Sequence, residues 1–331
     1  MIMCVNKEIE KKNMKAIAFL DLLGFSNAVM NDTEEALSML QSYNSILHQL
    51  NLQSQLHPSN DYIEDLQELA RRNSIESFDD FLPFSDSIFI TSNNCSDFLM
   101  QLGSFLIKSF HFTAHIYGSP KNRQDPTAYS NIEVRDDGNG RLTTVNIPCH
   151  VPPTLFRGGI AYGDVNIITP IGILNKQRIN SHTLIGNAVV KAVHLEKKVK
   201  GPRIVFDKDI YERLDEKAKL YCCNLIEDPN YYELLWPGMS FILENSSTFQ
   251  NEFSHFFDLF DPAYNLWSYY KDNNVAIHYE RFLELIVVST IKIYSHMGMK
   301  NFVMQKIEKA IDGKFSCTEK TKIFGSLECC I

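Results

Sequence analysis

Lys15-Ala16-Ile17-Ala18-Phe19-Leu20-Asp21-Leu22-Leu23-Gly24-Phe25-Ser26 is the stretch that decides the fold. A short apolar run ends in an acid, a glycine-containing turn follows, and a helix-like stretch runs from about Asn27 to Leu50. This order predicts strand, tight turn, helix. A carboxylate at the end of a strand expected to be buried is costly unless something pairs with it. The N–H groups of Gly24, Phe25 and Ser26, opening the helix, would point at an anion. Asp21 therefore reads either as a turn or cap residue, or as the ligand of a cation beside a phosphate.

Working outward, a polar stretch from Gln53 to Glu64 precedes a further helix over Leu66 to Asn73. Asp79 to Thr91 then reads as a strand or hairpin with an acid in its turn. That acid, Asp86, stands between Pro83-Phe84-Ser85 and a second apolar strand, so it poses the same question as Asp21. Ser96 to Tyr117 keeps Phe98, Leu102, Phe105, Leu106 and Phe110 at helical spacing. Residues 118–153 form an insertion, in which Asn131 to Val134 and Arg141 to Ile147 flank Asp136-Asp137-Gly138-Asn139-Gly140, a hairpin signal. Phe156 to Val165 predicts a strand, Leu184 to Lys200 a helix, Arg203 to Phe206 a strand, and Tyr231 to Trp236 a last strand stopped by Pro237-Gly238. From about residue 240 the pattern is helical. The expected division is an N-terminal extension over 1–13, a main domain over 14–240 and a helical C-terminal extension over 241–331. Phe256, Phe257, Phe260, Trp267 and Tyr269 mark that extension as a packing or dimer element.

Composition limits the function. The 331 residues are 44% hydrophobic and carry 22 Phe and 14 Tyr, enough to fill a sizeable core. A net charge of −8 and the lack of a basic stripe exclude a duplex-nucleic-acid binder, so any nucleotide chemistry rests on local charge or on metals. Met1 to Lys15 lacks an apolar signal core, and the longest apolar run, Phe282 to Tyr294, is interrupted by Glu284 and Lys292. The expectation is a cytoplasmic protein. Eight cysteines include no C-x-x-C pair, so they are expected as buried or surface thiols. His111 and His115 are four apart, but no Glu follows His111, so a core or surface pair is expected.

Four segments together carry a family resemblance. Phe19-Leu20-Asp21-Leu22-Leu23-Gly24-Phe25-Ser26 resembles the first metal-binding segment of class III adenylate/guanylate cyclases, and Phe84-Ser85-Asp86-Ser87-Ile88-Phe89 resembles the second. Arg157-Gly158-Gly159-Ile160-Ala161-Tyr162-Gly163 is similar to the family's arginine strand. The run from Leu184 through Asn187 to Glu196 is similar to its dimer-arm helix. The segments occur in the family's order over roughly residues 14 to 240. The resemblance implies a ferredoxin-like α/β (α+β) catalytic domain with a helical C-terminal extension. It implies that Asp21, Asp86 and the Leu22 carbonyl hold two divalent ions, Mg²⁺ or Mn²⁺, a use to which hard oxygen ligands are suited. Arg157 would neutralise phosphate charge, with a surface ion pair as the alternative. Sites formed between two chains imply a homodimer and an inactive monomer.

The sequence also departs from the family. Where purine cyclases carry a lysine and a polar base reader, this chain has Leu82 and Thr183, which disfavours ATP and GTP. The transition-state asparagine and arginine fall at Val190 and His194; Lys191 or His194 would compensate, or Asn187 would supply the amide. With this changed reader, the compact helix and the helical extension, the chain resembles the bacterial Pycsar pyrimidine cyclases. That narrower resemblance implies UTP or CTP as substrate, with UTP favoured, and a separate effector protein activated by the cyclic product during antiphage defence. Thr183 and His182 are the candidate base readers. Competing readings are a degenerate module that binds nucleotide without turnover, an adenylate or guanylate cyclase, or another two-metal enzyme on a ferredoxin-like core. The last is opposed by Ser87, which follows Asp86 where a second acid would be needed.

Overall fold

In a computed structural model, the described residues are 13–31, 33–55, 74–117, 128–136, 138, 141–150, 153–168, 173–174, 177–178, 183–243 and 254–325. The chain opens with β1 (Met14–Leu22), where Ala16, Ala18, Leu20 and Leu22 bury one face and Ile17 and Phe19 turn to the other. After the Leu23–Gly24 turn come α1 (Phe25–Asn31) and α2 (Thr33–Gln55). These are two helices where periodicity predicts one. The helix expected over 66–73 lies outside the described residues.

The hairpin of β2 (Asp80–Phe84) and β3 (Ser87–Ser92) carries Asp86 in its two-residue loop, as its sequence predicts. Helix α3 (Cys95–Tyr117) follows, then the insertion hairpin β4 (Ala128–Asp136) and β5 (Leu142–His150). Next are β6 (Phe156–Asp164), β7 (Asn166–Ile168), the short strands β8 (Ile173–Leu174) and β9 (Gln177–Arg178), and β10 (Thr183–Ile185). Helix α4 (Asn187–Glu196) begins three residues later than periodicity predicts, because Thr183 to Ile185 pairs with β7 as a strand. Strand β11 (Ile204–Asp207), helices α5 (Lys208–Tyr211) and α6 (Glu216–Lys219), and strands β12 (Cys222–Asn224) and β13 (Tyr231–Leu234) complete this part.

The main sheet has seven strands in the order β12-β13-β11-β6-β1-β3-β2. All neighbours are antiparallel except β6 and β11. Strands β3 and β6 run parallel on either side of β1 and are joined through α3, which makes a split βαβ unit. The expected α/β class, an antiparallel-rich sheet flanked by helices, is the observed one.

The two faces of the sheet are covered differently. One packs Ala16, Ala18, Leu20 and Leu22 against α1, α2 and α3, and this core continues into the C-terminal helices. Those are α7 (Ser254–Tyr270), α8 (Ala276–His296), α9 (Lys300–Asp312) and α10 (Cys317–Phe324), which follow a 3₁₀ segment at Trp236–Leu243. Phe282 of α8 joins the layers, stacking on Trp236 at 5.3 Å and meeting the edge of Phe110 at 4.9 Å. The apolar run from Phe282 is therefore core, and among the described residues no helix is long and apolar enough to cross a membrane. The other face carries a smaller cluster in which Ile17, Ala161 and Val205 meet Ala188, Ala192 and Leu195 of α4.

Candidate functional site

Strand alternation places Asp21 on the α4 face, two residues beyond Phe19, where the small cluster thins out. Its cross-strand neighbours are Ser87 on β3 and Arg157 on β6. Ser87 Oγ donates to Asp21 Oδ1 at 3.4 Å, and Arg157 Nη2 donates to Asp21 Oδ2 at 3.4 Å.

Asp86 reaches the same place through the main chain. The Leu22 N–H donates to the Asp86 carbonyl at 3.0 Å, which fastens the hairpin loop to the last residue of β1. Ser85, just before the acid, is the one non-glycine residue among those described with a left-handed φ, at 59°. The two carboxylates feel each other: burial, and next the Asp86 charge, raise the Asp21 carboxyl above its ordinary range, opposed by Arg157 and Ser87.

Below the acids, Gly24 turns the chain at a φ of 86°, and a β-carbon there would meet nothing within 4 Å. The Leu23 N–H is taken by the Leu155 carbonyl at 2.9 Å, whereas the N–H groups of Gly24, Phe25 and Ser26 open α1 and have no acceptor among the described residues. Behind this turn Leu23, Gly24 and Asn27 line a cavity of about 130 Å³ whose other wall is Tyr270, His278 and Tyr279 from α7 and α8.

Arg157 stands between two acids. Its guanidinium pairs with Asp21 and also makes an ion pair with Glu196, the last residue of α4, which is only 4% exposed. Burial holds the Glu196 carboxyl above its ordinary range, Arg157 opposes that, and Asp21 adds to it. Glu196 and Ser87 are site residues that the sequence reading did not single out. Glu196 left a signal: Ala188, Ala192 and Leu195 form the buried stripe of α4, and position 196 continues it with an acid. His278 left none; its Nδ1 accepts from the Gly201 N–H at 3.1 Å, and burial, then Arg157 and Lys200, lower its pKa.

The remaining candidates lie elsewhere. Helix α4 runs back along β6, so Asn187 sits beside Gly163 and Glu196 beside Gly159. Asn187 Oδ1 accepts from the Asp164 N–H at 2.9 Å. Asp164 is seven positions along β6 from Arg157, about 23 Å at strand rise. Lys191 and His194 line an open groove of about 520 Å³ with Lys198, Lys208, Asn230 and Tyr231. Thr183 is exposed on β10, and His182 is outside the described residues. One chain thus joins Asp21, Asp86 and Arg157, and separately Lys191 and His194, but not the two sets.

The donor chemistry fits hard cations. Among the described residues no cluster of three or more His, Cys, Asp or Glu side chains is arranged to hold a metal. Carboxylates and a main-chain carbonyl, the donor types of Asp21, Asp86 and Leu22, are hard oxygen donors of the kind Mg²⁺ accepts when phosphate and water supply the rest.

No family model and no curated protein matches the sequence. Among solved structures 31 chains match. One is an adenylate cyclase from Trypanosoma brucei in its monomeric state, with 12% identity and a TM-score of 0.38, covering 67% of this chain and 87% of that one. The guanylyl cyclase Cya2 has 14% identity and a TM-score of 0.37, covering 67% and 89%. The dimeric guanylyl cyclase domain of the RhoGC fusion protein from Blastocladiella emersonii has 12% identity and a TM-score of 0.35, covering 67% and 96%.

Proposed function

We propose that the chain is a nucleotidyl cyclase that closes a nucleoside triphosphate, UTP before CTP, into its 3′,5′-cyclic nucleotide with release of pyrophosphate. The observation that supports this reading is the Leu22 N–H to Asp86 carbonyl bond, which fastens the loop carrying Asp86 to the strand end carrying Asp21, beside a glycine turn whose N–H groups have no acceptor among the described residues. Two divalent ions, Mg²⁺ or Mn²⁺, would supply the Lewis acidity that activates the ribose 3′-hydroxyl and bears the charge of the leaving pyrophosphate.

The chain's own residues do the rest. Asp21, Asp86 and the Leu22 carbonyl would hold the cations. The N–H groups of Gly24, Phe25 and Ser26 receive phosphate oxygens. Arg157, already beside Asp21, offers its planar fork to the triphosphate. The bond from the 3′-oxygen to the α-phosphorus forms, the bond from that phosphorus to the β-phosphate oxygen breaks, and the hydroxyl proton passes to solvent.

Lys191 and His194 line a groove that neither Asp21 nor Asp86 of their own chain lines, so in this reading they act on a substrate held by a second copy, and the working unit is a homodimer. Thr183, exposed on β10, serves as base reader. Asn187 would act only through its amide nitrogen, its oxygen being committed to Asp164. The cyclic pyrimidine product would activate a separate effector protein in antiphage defence.

The test is to incubate purified protein with Mn²⁺ and each of the four ribonucleoside triphosphates, identify products by mass, and repeat with Asp21→Ala. A cyclic pyrimidine nucleotide from the unaltered protein and none from the variant is expected. Nucleotide bound without pyrophosphate release would make the chain a binding module, and a cyclic purine product would make it an adenylate or guanylate cyclase.

A further inference from the structure

Arg157 Nη2 serves two carboxylates at once, Asp21 at 3.4 Å and Glu196 in the closer ion pair. An arginine directly across a strand pair from an acid would by default neutralise it, and a neutralised Asp21 is a poor cation ligand. Glu196 prevents this from one side only. It is the more buried of the two acids, and attraction strengthens as water is excluded. The Arg157 Nε and the Glu196 Oε1 are both buried with no hydrogen-bond partner among the described residues, so Glu196 holds the guanidinium by the ion pair.

From this arrangement we infer that Glu196 is a positioning residue that draws Arg157 off Asp21 and so keeps Asp21 open to a divalent cation. The inference rests on the metal-binding reading of Asp21 and Asp86 given above. Its mechanical basis is the packing of α4: Gly159 lets the helix backbone approach so closely that a β-carbon there would lie 2.2 Å from the Ala192 carbonyl oxygen. That approach carries the Glu196 carboxylate down to the sheet beside Arg157.

The experiment measures Mn²⁺ affinity of the full chain without nucleotide, from the electron paramagnetic resonance signal of free Mn²⁺. Four proteins are compared: unaltered, Glu196→Gln, Arg157→Gln, and the double variant. Glu196→Gln should weaken Mn²⁺ binding about tenfold or more, as loss of an outer partner of a metal ligand does. Arg157→Gln should bind Mn²⁺ at least as tightly as the unaltered chain, and in that background Glu196→Gln should change affinity less than about twofold. Unchanged Mn²⁺ affinity in a folded Glu196→Gln protein overturns the inference. So does an undiminished loss in the Arg157→Gln background, because Glu196 would then act without Arg157. Should Glu196→Gln not fold, Glu196→Asp, which retracts the charge by one methylene, must weaken Mn²⁺ binding for the inference to stand. Asp21→Asn separates the two levels: if it leaves Mn²⁺ affinity intact, the metal-site reading itself fails.

Discussion

The main-chain N–H of Leu22 donates to the carbonyl of Asp86 at 3.0 Å, and with the pairing of Asp21 opposite Ser87 it brings two acids 65 positions apart in sequence to one end of the β1–β3 pair. It joins the end of β1 to the loop of the β2–β3 hairpin, so whatever holds that loop holds the site.

The loop can be tuned at Ser85, whose φ of 59° is strained for any residue with a β-carbon. Ser85→Gly should raise stability by about 0.5–1 kcal/mol, because glycine occupies this region without steric cost. Ser85→Val should lower it, since a β-branched side chain resists a left-handed φ. Thermal melting of both variants checks this, and a Ser85→Gly protein that melts lower than its parent would contradict it.

Asp21 gives a pH-dependent prediction. In the fold its carboxyl is raised above its ordinary value, by burial first and then by Asp86. Between the ordinary and the raised value the folded chain keeps a proton that the unfolded chain has lost, so stability falls as pH rises through that window. Below the window the acid contributes nothing; above it the full cost is present. Asp21→Asn should therefore raise the metal-free melting temperature at neutral pH by about 2 °C. The gain should vanish below the ordinary carboxylate range. Mn²⁺ should stabilise the unaltered protein and not the variant, which calorimetry across pH, with and without the ion, reads directly.

Gly159 tests the seat of α4. A β-carbon there would come within 2.2 Å of the Ala192 carbonyl oxygen and 2.6 Å of the Leu195 β-carbon, and neither can swing aside as a long side chain would. Gly159→Ala should cost about 2 kcal/mol or more through overpacking. Urea denaturation gives the number; a loss below half of that would mean that α4 shifts freely.

The separation between the acids and the groove of Lys191 and His194 predicts complementation. Asp21→Asn and the double variant Lys191→Ala/His194→Ala should each be nearly inactive. Mixed in equal amounts and allowed to exchange, they should recover about one quarter of the unaltered activity, because half of the dimers then hold one intact site of two. Absence of any recovery, with exchange shown by differently tagged chains, would rule out a site shared between copies.

Much of this was legible along the chain. The apolar run into Asp21, the glycine turn, the acid in the Asp79 to Thr91 hairpin and the spacing from Phe98 to Phe110 each declare their element. Periodicity and turn chemistry act over a few residues, which is the range a sequence displays. The same local rules erred where a strand and a helix abut: Leu184 and Ile185 extend the helical pattern of α4, yet they pair with Ile167 and Asn166 of β7. Hydrogen bonds to a distant strand outweighed the local period.

The sequence by itself determined the α/β class and the helical character of the C-terminal region, and it singled out Asp21 and Asp86 by their context and Arg157 by resemblance. Only the tertiary structure decided that Leu22 and Asp86 bond, that Arg157 is shared between Asp21 and Glu196, and that His278 of α8 reaches the back of the site. Those relationships depend on strand register and on the depth at which α4 and α8 settle. Register and depth are fixed by burial summed over the whole core, a quantity that no short stretch of residues contains.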